Sequence, residues 1–183
     1  MATQYAEISP KHQGFMEDQH LFFVATAAAD GRVNLSPKGM DSLRVLSPSR
    51  VLWLSVTGSG NETAAHLLEN DRMTLMFMAL QGAPLILRVY GSATAIHHNS
   101  AEWSDLYALF DPLPGARQIF DLSVDLVQTS CGMAVPLYDY VGERELLKDW
   151  AVKRGEEGIR NYWLEKNQQS IDGKPTDIGK KNL

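Results

Sequence analysis

The sequence predicts a mainly β protein: an antiparallel barrel with helices at its rim and a helical extension at the C-terminal end. Six or seven short segments rich in branched and aromatic residues are separated by turn signals, as is typical of a β-meander. From Glu143 onward charged residues become dense, and apolar residues recur at helical spacing. We therefore expect one domain over residues 1–183, with a helical extension over 143–169 and a polar tail over 170–183 that is loosely held.

Local signals place the individual elements. Ser9-Pro10 is typical of a helix N-cap and first helical residue, and predicts a helix that runs to about Asp18. A second helix is expected after Asn99 or Ser100, a helical turn over 116–120, and two amphipathic helices that meet near Gly155. The predicted strands cover residues 21–28, 32–36, 44–46, 51–55, 72–79, 85–96 and 122–130.

Composition excludes several classes of function. The net charge is −5 and no basic stripe stands out, which argues against a nucleic-acid partner. No apolar run approaches the roughly 18 residues of a membrane helix, so no membrane role is expected. The N-terminal sequence lacks the pattern of a secretory signal, and the single cysteine, Cys131, excludes an internal disulfide. We therefore expect a cytoplasmic protein.

A glycine-rich turn between a predicted strand and a predicted helix is the leading candidate for a binding site. Residues 57–63 read Thr-Gly-Ser-Gly-Asn-Glu-Thr, and the apolar residues that follow lie on one helix face. Backbone N–H groups at such a junction, together with the helix dipole, favour a phosphate. The barrel is expected to bring this turn close to residues 34–39. The candidate phosphate ligands are Ser36, Lys38, Gly60, Asn61, Glu62 and Thr63.

The same residues also fit plainer interpretations. Residues 57–63 are equally compatible with a helix N-cap in which Ser59 or Asn61 satisfies helix N–H groups. The turn lacks the ending of a P-loop and the spacing of a dinucleotide fingerprint. Arg88, in an apolar predicted strand, fits either a phosphate contact or a salt bridge at a strand edge. A lone cysteine such as Cys131 is most often a buried small residue, and spacing alone indicates neither an acid–base pair nor a metal site.

Several stretches taken together resemble the pyridoxamine 5′-phosphate oxidase-like, FMN-binding split-barrel family, and within it a bacterial and fungal branch. They span nearly the whole chain in the order found in that family, and as a set they are specific. The stretches that carry the resemblance are 33–39, 57–67, 72–77, 86–91, 129–136, 140–144 and 165–173.

The resemblance implies a six-stranded split barrel that works as a homodimer, with FMN in a cleft between the subunits. It places the flavin ring against the backbone of residues 34–36 and 54–57. It leaves the catalytic residues unassigned and implies no metal. The implied cofactor-binding residues are Asn34, Ser36, Lys38, Ser55, Val56, Thr57, Gly60, Asn61, Glu62, Thr63 and Arg88.

Two departures from the family bear on activity. The oxidase has a strand-borne arginine near the position of Asn34, and an arginine–lysine pair where Asn61-Glu62-Thr63 stands here. The oxidase's C-terminal arginine–histidine segment has no counterpart in residues 170–183, so oxidation of pyridoxamine phosphate is not carried over. We predict an FMN-dependent oxidoreductase acting on a small substrate. The alternatives are a deazaflavin-dependent reductase, and a flavin- or haem-binding carrier, sensor or stress protein without turnover.

Overall fold

The computed structural model describes residues 2–183. The strands are β1 (Thr3–Tyr5), β2 (Phe22–Thr26), β3 (Asn34–Lys38), β4 (Leu43–Ser47), β5 (Arg50–Val56), β6 (Arg72–Met78), β7 (Ile86–Ile96) and β8 (Ala116–Ser130). The helices are α1 (Pro10–Glu17), α2 (Glu62–Leu67), α3 (Trp103–Tyr107), α4 (Leu146–Lys166) and α5 (Ile178–Lys181).

All eight strands belong to one antiparallel sheet. Seven follow the order β3-β2-β6-β7-β8-β5-β4, and β1 pairs with the C-terminal part of β8. The predicted class, mainly antiparallel β with helices, is confirmed, although the sheet has eight strands rather than six. One of the short strands, β1, lies off the main strand order and pairs with β8 over three residues only.

The core follows from alternation along the central strands. In β6 every second residue is buried, including Met73, Leu75 and Phe77, and β7 contributes Leu87 and Val89 in the same way. These side chains form one continuous apolar cluster. The cluster fixes the strand register, since a shift by one residue would expose the whole apolar face.

The prediction of a helical turn over residues 116–120 is wrong, because this segment is the first part of β8. Ile119 lies opposite Leu54 and Phe120 lies opposite Trp53 in the β5–β8 ladder. All four side chains are buried, and the Trp53 and Phe120 rings stack with 4.7 Å between centroids. Cross-strand packing of this kind outweighs a weak local preference for helix.

The C-terminal extension confirms one prediction and overturns another. Gly155 has φ of 68° and interrupts α4, so two helical segments meet there as predicted. The expectation of a loosely held tail is wrong, because Thr176, Ile178 and Asn182 are buried. The Asn182 side chain donates a 2.5 Å hydrogen bond to the backbone oxygen of Arg117, which fastens the tail to β8.

Candidate functional site

Strand β3 aligns three polar side chains on one side of the sheet. Side chains alternate along a strand, so Asn34, Ser36 and Lys38 share one face and are half-buried. Leu35, between them, faces the other way and is 61% exposed. The alternation that the sequence shows therefore brings this predicted group together.

A β-bulge directs Arg117 toward the same place. Ser55 of β5 lies opposite Gln118 of β8. The next pair is Val56 with Ala116, so Arg117 is the extra residue on β8. A bulge bends its strand and re-aims the side chain of the extra residue. The Arg117 side chain enters the interior beside β3 and is only 5% exposed.

These side chains line a cavity of about 280 Å³. It contains every predicted cofactor-binding residue except Thr57 and Arg88, and adds Arg117 and two aromatic rings. The lining residues are Asn34, Ser36, Lys38, Trp53, Ser55, Val56, Gly58, Ser59, Gly60, Asn61, Glu62, Thr63, Arg117 and Phe120. The structure thus joins the β3 group to the glycine-rich turn, as the sequence predicted.

Lys38 is a poorly solvated cation without an acidic partner. Its Nζ lies 4.8 Å from the centroid of the Trp53 ring, in a cation–π contact. Burial, followed by the positive charge of Arg117, lowers the pKa of Lys38 to about 8. Within residues 2–183, no carboxylate lies at ion-pair distance from it. At neutral pH the ammonium group is still mostly protonated, so an anion in the cavity would stabilise it.

Arg117 is likewise bound only by neutral groups. Nη1 donates to the backbone oxygen of Gly60 at 3.0 Å and to Asn167 Oδ1 at 2.9 Å. Nη2 donates to Ser55 Oγ at 3.2 Å, and the buried Nε has no hydrogen-bond partner in the described part of the chain. Burial lowers the pKa of Arg117 to about 10, so the guanidinium keeps its charge at neutral pH. A buried cation of this kind is destabilising until a counter-charge approaches it.

Glu62 lines the cavity, but its carboxylate is bound by the C-terminal segment. Both carboxylate oxygens accept hydrogen bonds of 3.1 Å from the backbone N–H of Ile171. A Cβ at Gly60 would lie 3.2 Å from Glu62 Oε1, so a glycine leaves the carboxylate room in this position. The Glu62 carboxylate is therefore bound by the backbone of the tail.

The interpretation of the turn as a simple helix cap is not supported at Asn61. This residue occupies the N-cap position of α2, but its side chain makes no capping hydrogen bond. Its Nδ2 instead donates to the backbone oxygen of Asn167 at 3.4 Å. Its buried Oδ1 has no partner among the residues described. The turn is therefore held by the C-terminal segment rather than by its own cap.

Thr57 and Arg88 lie outside the cavity. Thr57 Oγ1 donates to the backbone oxygen of Gly115 at 2.7 Å, which directs the hydroxyl away from the lining. Arg88 is on β7 and donates to Ser130 Oγ at 3.2 Å. It was predicted because an arginine in an apolar strand is unusual. Arg117 has the same signal in the sequence, but the assignment of 116–120 to a helical turn concealed it.

Two other residues can be placed. Cys131 follows directly after β8 and is exposed, so the expectation of a buried cysteine is wrong. His66 is 1% exposed, and its Nδ1 lies 3.1 Å from Thr26 Oγ1 beneath the cavity wall, in agreement with a packing role. Within residues 2–183 no cluster of three or more potential ligands is arranged to hold a metal ion. None of the described helices combines the length and apolar character needed to cross a membrane.

Comparison with known proteins decides the family. Residues 8–131 match the family model described as pyridoxamine 5′-phosphate oxidase. The chain is also 34% identical over 195 residues to the pyridoxamine 5′-phosphate oxidase family protein ustO of Aspergillus flavus, and the match covers 96% of this chain and 78% of that relative. The chain belongs to the pyridoxamine 5′-phosphate oxidase family. The match to ustO extends well past residue 131, into the C-terminal extension.

Two solved structures share the fold. A HupZ variant from Group A Streptococcus superposes with a TM-score of 0.55 at 18% identity, covering 67% of this chain and 99% of that one. A putative pyridoxamine 5′-phosphate oxidase from Lactobacillus delbrueckii gives 0.53 at 20% identity, covering 67% and 94%. These similarities confirm the split-barrel fold.

Proposed function

We propose that this chain is a flavoprotein that binds FMN, with the phosphate of the cofactor in the cavity lined by Lys38 and Arg117. The observation that carries this proposal is the presence of two cations at one cavity, neither of them paired with a carboxylate of residues 2–183. A phosphate monoester has a second pKa of about 6 and is close to a dianion at neutral pH. It would supply the counter-charge that both side chains lack, and membership of the family favours the flavin phosphate.

The size and lining of the cavity suit the phosphate end of the cofactor. Its volume of about 280 Å³ is at the low end of the roughly 300–1,000 Å³ typical of ligand pockets. Hydroxyl groups of Ser36, Ser55 and Thr63 offer neutral hydrogen-bond partners for a phosphate and an adjoining polyol. In this proposal the ring system lies beyond the cavity, along the open backbone edge of β3.

We further infer that the chain acts as a homodimer with the cofactor at the subunit interface. Strand β3 is at the edge of the sheet, and Val33 and Leu35, at this edge, are 73% and 61% exposed. An open edge strand with apolar side chains is a surface that a second copy can cover. Light scattering on the native protein should then give twice the chain mass of 20.4 kDa. A monomer that binds FMN would contradict this part of the proposal.

We infer an oxidoreductase activity on a small substrate. Bound FMN supplies the electron or hydride transfer. The residues of this chain bind and orient the phosphate through Lys38 and Arg117, and the buried side chains of Trp53 and Phe120 limit the access of water from the inner side of the cavity. The lining contains no histidine or cysteine, which favours a flavin over haem as the ligand of this cavity.

The absorption spectrum of freshly purified protein tests the proposal, together with the mass of any molecule released on denaturation. We expect a flavin spectrum and the mass of FMN, or uptake of FMN by the ligand-free protein. If the protein releases a deazaflavin or haem, or binds one of them in preference to FMN, the corresponding alternative function is favoured. Reduction by NADH or NADPH, followed by turnover with electron acceptors, separates an enzyme from a carrier. A protein that takes up no FMN even at low salt contradicts the proposal.

A further inference from the structure

We propose that residues 167–171, here called the C-terminal clamp, are part of the phosphate site. In this proposal Asn167 positions the Arg117 guanidinium, and the backbone N–H of Ile171 holds the Glu62 carboxylate away from the bound anion. The proposal rests on the proposed function and adds a positioning element to it. The clamp lies outside residues 8–131, the part of the chain that matches the family model.

Asn167 is the centre of the clamp. It is fully buried, and its Oδ1 accepts the 2.9 Å hydrogen bond from Arg117 Nη1. Its Nδ2 donates to the backbone oxygens of Gly58 at 3.0 Å and Ser59 at 3.4 Å. One amide thus joins the buried guanidinium to two carbonyl groups of the glycine-rich turn. Carbonyl oxygens that faced the cavity would repel an anion, and Asn167 binds these two outside it.

The backbone of Asn167 is fixed in turn. Its carbonyl oxygen accepts a 2.6 Å hydrogen bond from Thr176 Oγ1 and a 3.4 Å hydrogen bond from Asn61 Nδ2. Thr176 is fully buried. The amide of Asn167 therefore has little freedom to turn away from Arg117, which is what a positioning residue requires.

The other end of the clamp controls an acidic side chain. Glu62 is the first residue of α2 and lines the cavity, yet both of its carboxylate oxygens are bound by the Ile171 N–H. The next residue, Asp172, accepts a 2.7 Å hydrogen bond from the backbone N–H of Arg32 and forms an ion pair with its guanidinium. Lys174 forms ion pairs with Asp30 at 2.6 Å and Glu69 at 2.8 Å. These contacts fasten the clamp to the loop before β3 and to the end of α2.

The substitution Asn167→Asp tests the clamp with almost no change in shape. It places a carboxylate against Arg117, so the guanidinium is neutralised before a phosphate arrives, and it removes the donor to Gly58 and Ser59. Asn182→Asp is the matched control. Asn182 is also a buried amide of the tail, but it binds the backbone oxygen of Arg117 rather than the guanidinium. Circular dichroism and thermal unfolding of both variants show whether each is folded.

The readout compares FMN with riboflavin, which lacks the phosphate. We expect Asn167→Asp to weaken FMN binding by at least about tenfold and riboflavin binding by no more than about twofold. Asn182→Asp should leave the ratio of the two affinities as in the wild type. Unchanged FMN affinity in Asn167→Asp, or an equal loss for both flavins, overturns the role of Asn167.

A double-mutant cycle tests the second contact and does not depend on a buried substitution. Ile171 is 70% exposed, and Ile171→Pro removes its N–H donor. The effects of proline on the backbone and the loss of the isoleucine side chain are common to both Glu62 backgrounds, so the cycle cancels them. FMN binding should weaken in Ile171→Pro and recover when Glu62→Gln is added, since the released carboxylate is then gone. Equal effects of Ile171→Pro in both backgrounds overturn the role of Ile171. This cycle decides the proposal if Asn167→Asp does not fold.

Inorganic phosphate tests the clamp independently of which cofactor the protein binds. Phosphate should raise the melting temperature of the wild type and not that of Asn167→Asp, whichever flavin the protein uses. A wild-type response that persists in Asn167→Asp overturns the clamp alone. The clamp alone is also overturned if the wild type binds FMN and the variants show no loss of affinity that is specific to FMN. A wild type that responds to neither phosphate nor FMN overturns both the clamp and the proposed function.

Discussion

The indole Nε1 of Trp163 donates a 2.7 Å hydrogen bond to Thr57 Oγ1, which joins helix α4 to the first residue of the glycine-rich turn. The Thr57 hydroxyl in turn donates to the backbone oxygen of Gly115 at 2.7 Å. Trp163 and Thr57 are 3% and 1% exposed. The C-terminal extension therefore stabilises the glycine-rich turn, which supplies part of the candidate site, through the contact of Trp163 with Thr57.

Replacing Trp163 by phenylalanine should destabilise the fold. The change removes a buried hydrogen bond, worth about 1 kcal/mol, and part of a buried ring. We expect the free energy of unfolding in urea to fall by about 1.5–3 kcal/mol. Trp150→Phe is the control, because Trp150 is only half-buried and makes its contacts through its ring. Equal destabilisation by the two substitutions would argue against the hydrogen bond to Thr57.

Gly91→Ala should be strongly destabilising for a different reason. Gly91 lies at a register shift between β7 and β8, where a Cβ would stand 1.9 Å from the backbone oxygen of Ser123. Backbone has to move to relieve this contact, so we expect a loss of about 3 kcal/mol or more in the free energy of unfolding. Gly14→Ala in α1 meets no atom within 4 Å and should stabilise the protein by up to about 1 kcal/mol. A Gly91→Ala protein as stable as the wild type would show that the register shift between β7 and β8 at Gly91 is absent.

Lys38→Met should weaken FMN binding without a similar effect on riboflavin. It removes one of the two cations that we propose bind the phosphate, and a hydrogen bond to a charged group is worth about 1.5–3 kcal/mol. Calorimetric titration at pH 7 gives the difference, with Lys38→Arg as the control that keeps the charge. The same dissociation constant in Lys38→Met and in the wild type would remove Lys38 from the site.

The pH dependence follows from the low pKa of Lys38. In the ligand-free protein this amine loses its proton as the pH rises through about 8. FMN affinity should therefore fall between pH 7 and pH 9, and Lys38→Arg should abolish this fall. The stability of the ligand-free fold should change in the opposite direction and rise with pH over this range. Folding lowers the pKa of Lys38 from its ordinary value of 10.5 to about 8. The buried charge therefore lowers the free energy of unfolding below pH 8, and this loss of stability is relieved as the pH rises toward 10.5. FMN affinity that is constant over this range in the wild type would contradict a role for the protonated amine.

Glu62→Gln should change FMN affinity little in the wild-type background. The carboxylate is half-buried and already bound by the Ile171 N–H, so its repulsion of a phosphate is expected to be below about 1 kcal/mol. Titration with FMN at low salt measures the effect. A gain of a hundredfold or more would mean that the Glu62 charge faces the phosphate directly and that the contact with Ile171 does not protect it.

The sequence was sufficient for most of the strands and most of the cavity lining, because both depend on local patterns, but it missed β1 and the first part of β8. Alternation places Asn34, Ser36 and Lys38 on one face of β3. The order of strand, glycine-rich turn and helix marks the turn and the first residue of α2, Glu62, as a candidate site. These features require only neighbouring residues. Membership of the family, which the comparisons show, agrees with the resemblance found in the sequence.

The features that the sequence did not reveal are long-range. Arg117 enters the cavity through a bulge that exists only when β5 and β8 are paired, so its position beside Lys38 does not follow from the local sequence. The order of the tail depends on buried amides whose partners are distant along the chain. Asn167 binds Gly58, and Asn182 binds the backbone oxygen of Arg117. A polar segment looks solvated until such partners are known.

The central claim is that Lys38 and Arg117 bind the phosphate of FMN, and a paired titration tests it most directly. Ligand-free protein is titrated with FMN and with riboflavin at low salt, and the titrations are repeated with Arg117→Met. We expect micromolar or tighter binding of FMN, binding of riboflavin weaker by about a hundredfold, and loss of most of that difference in Arg117→Met. Equal affinity for the two flavins in the wild type, or no uptake of FMN, would contradict it.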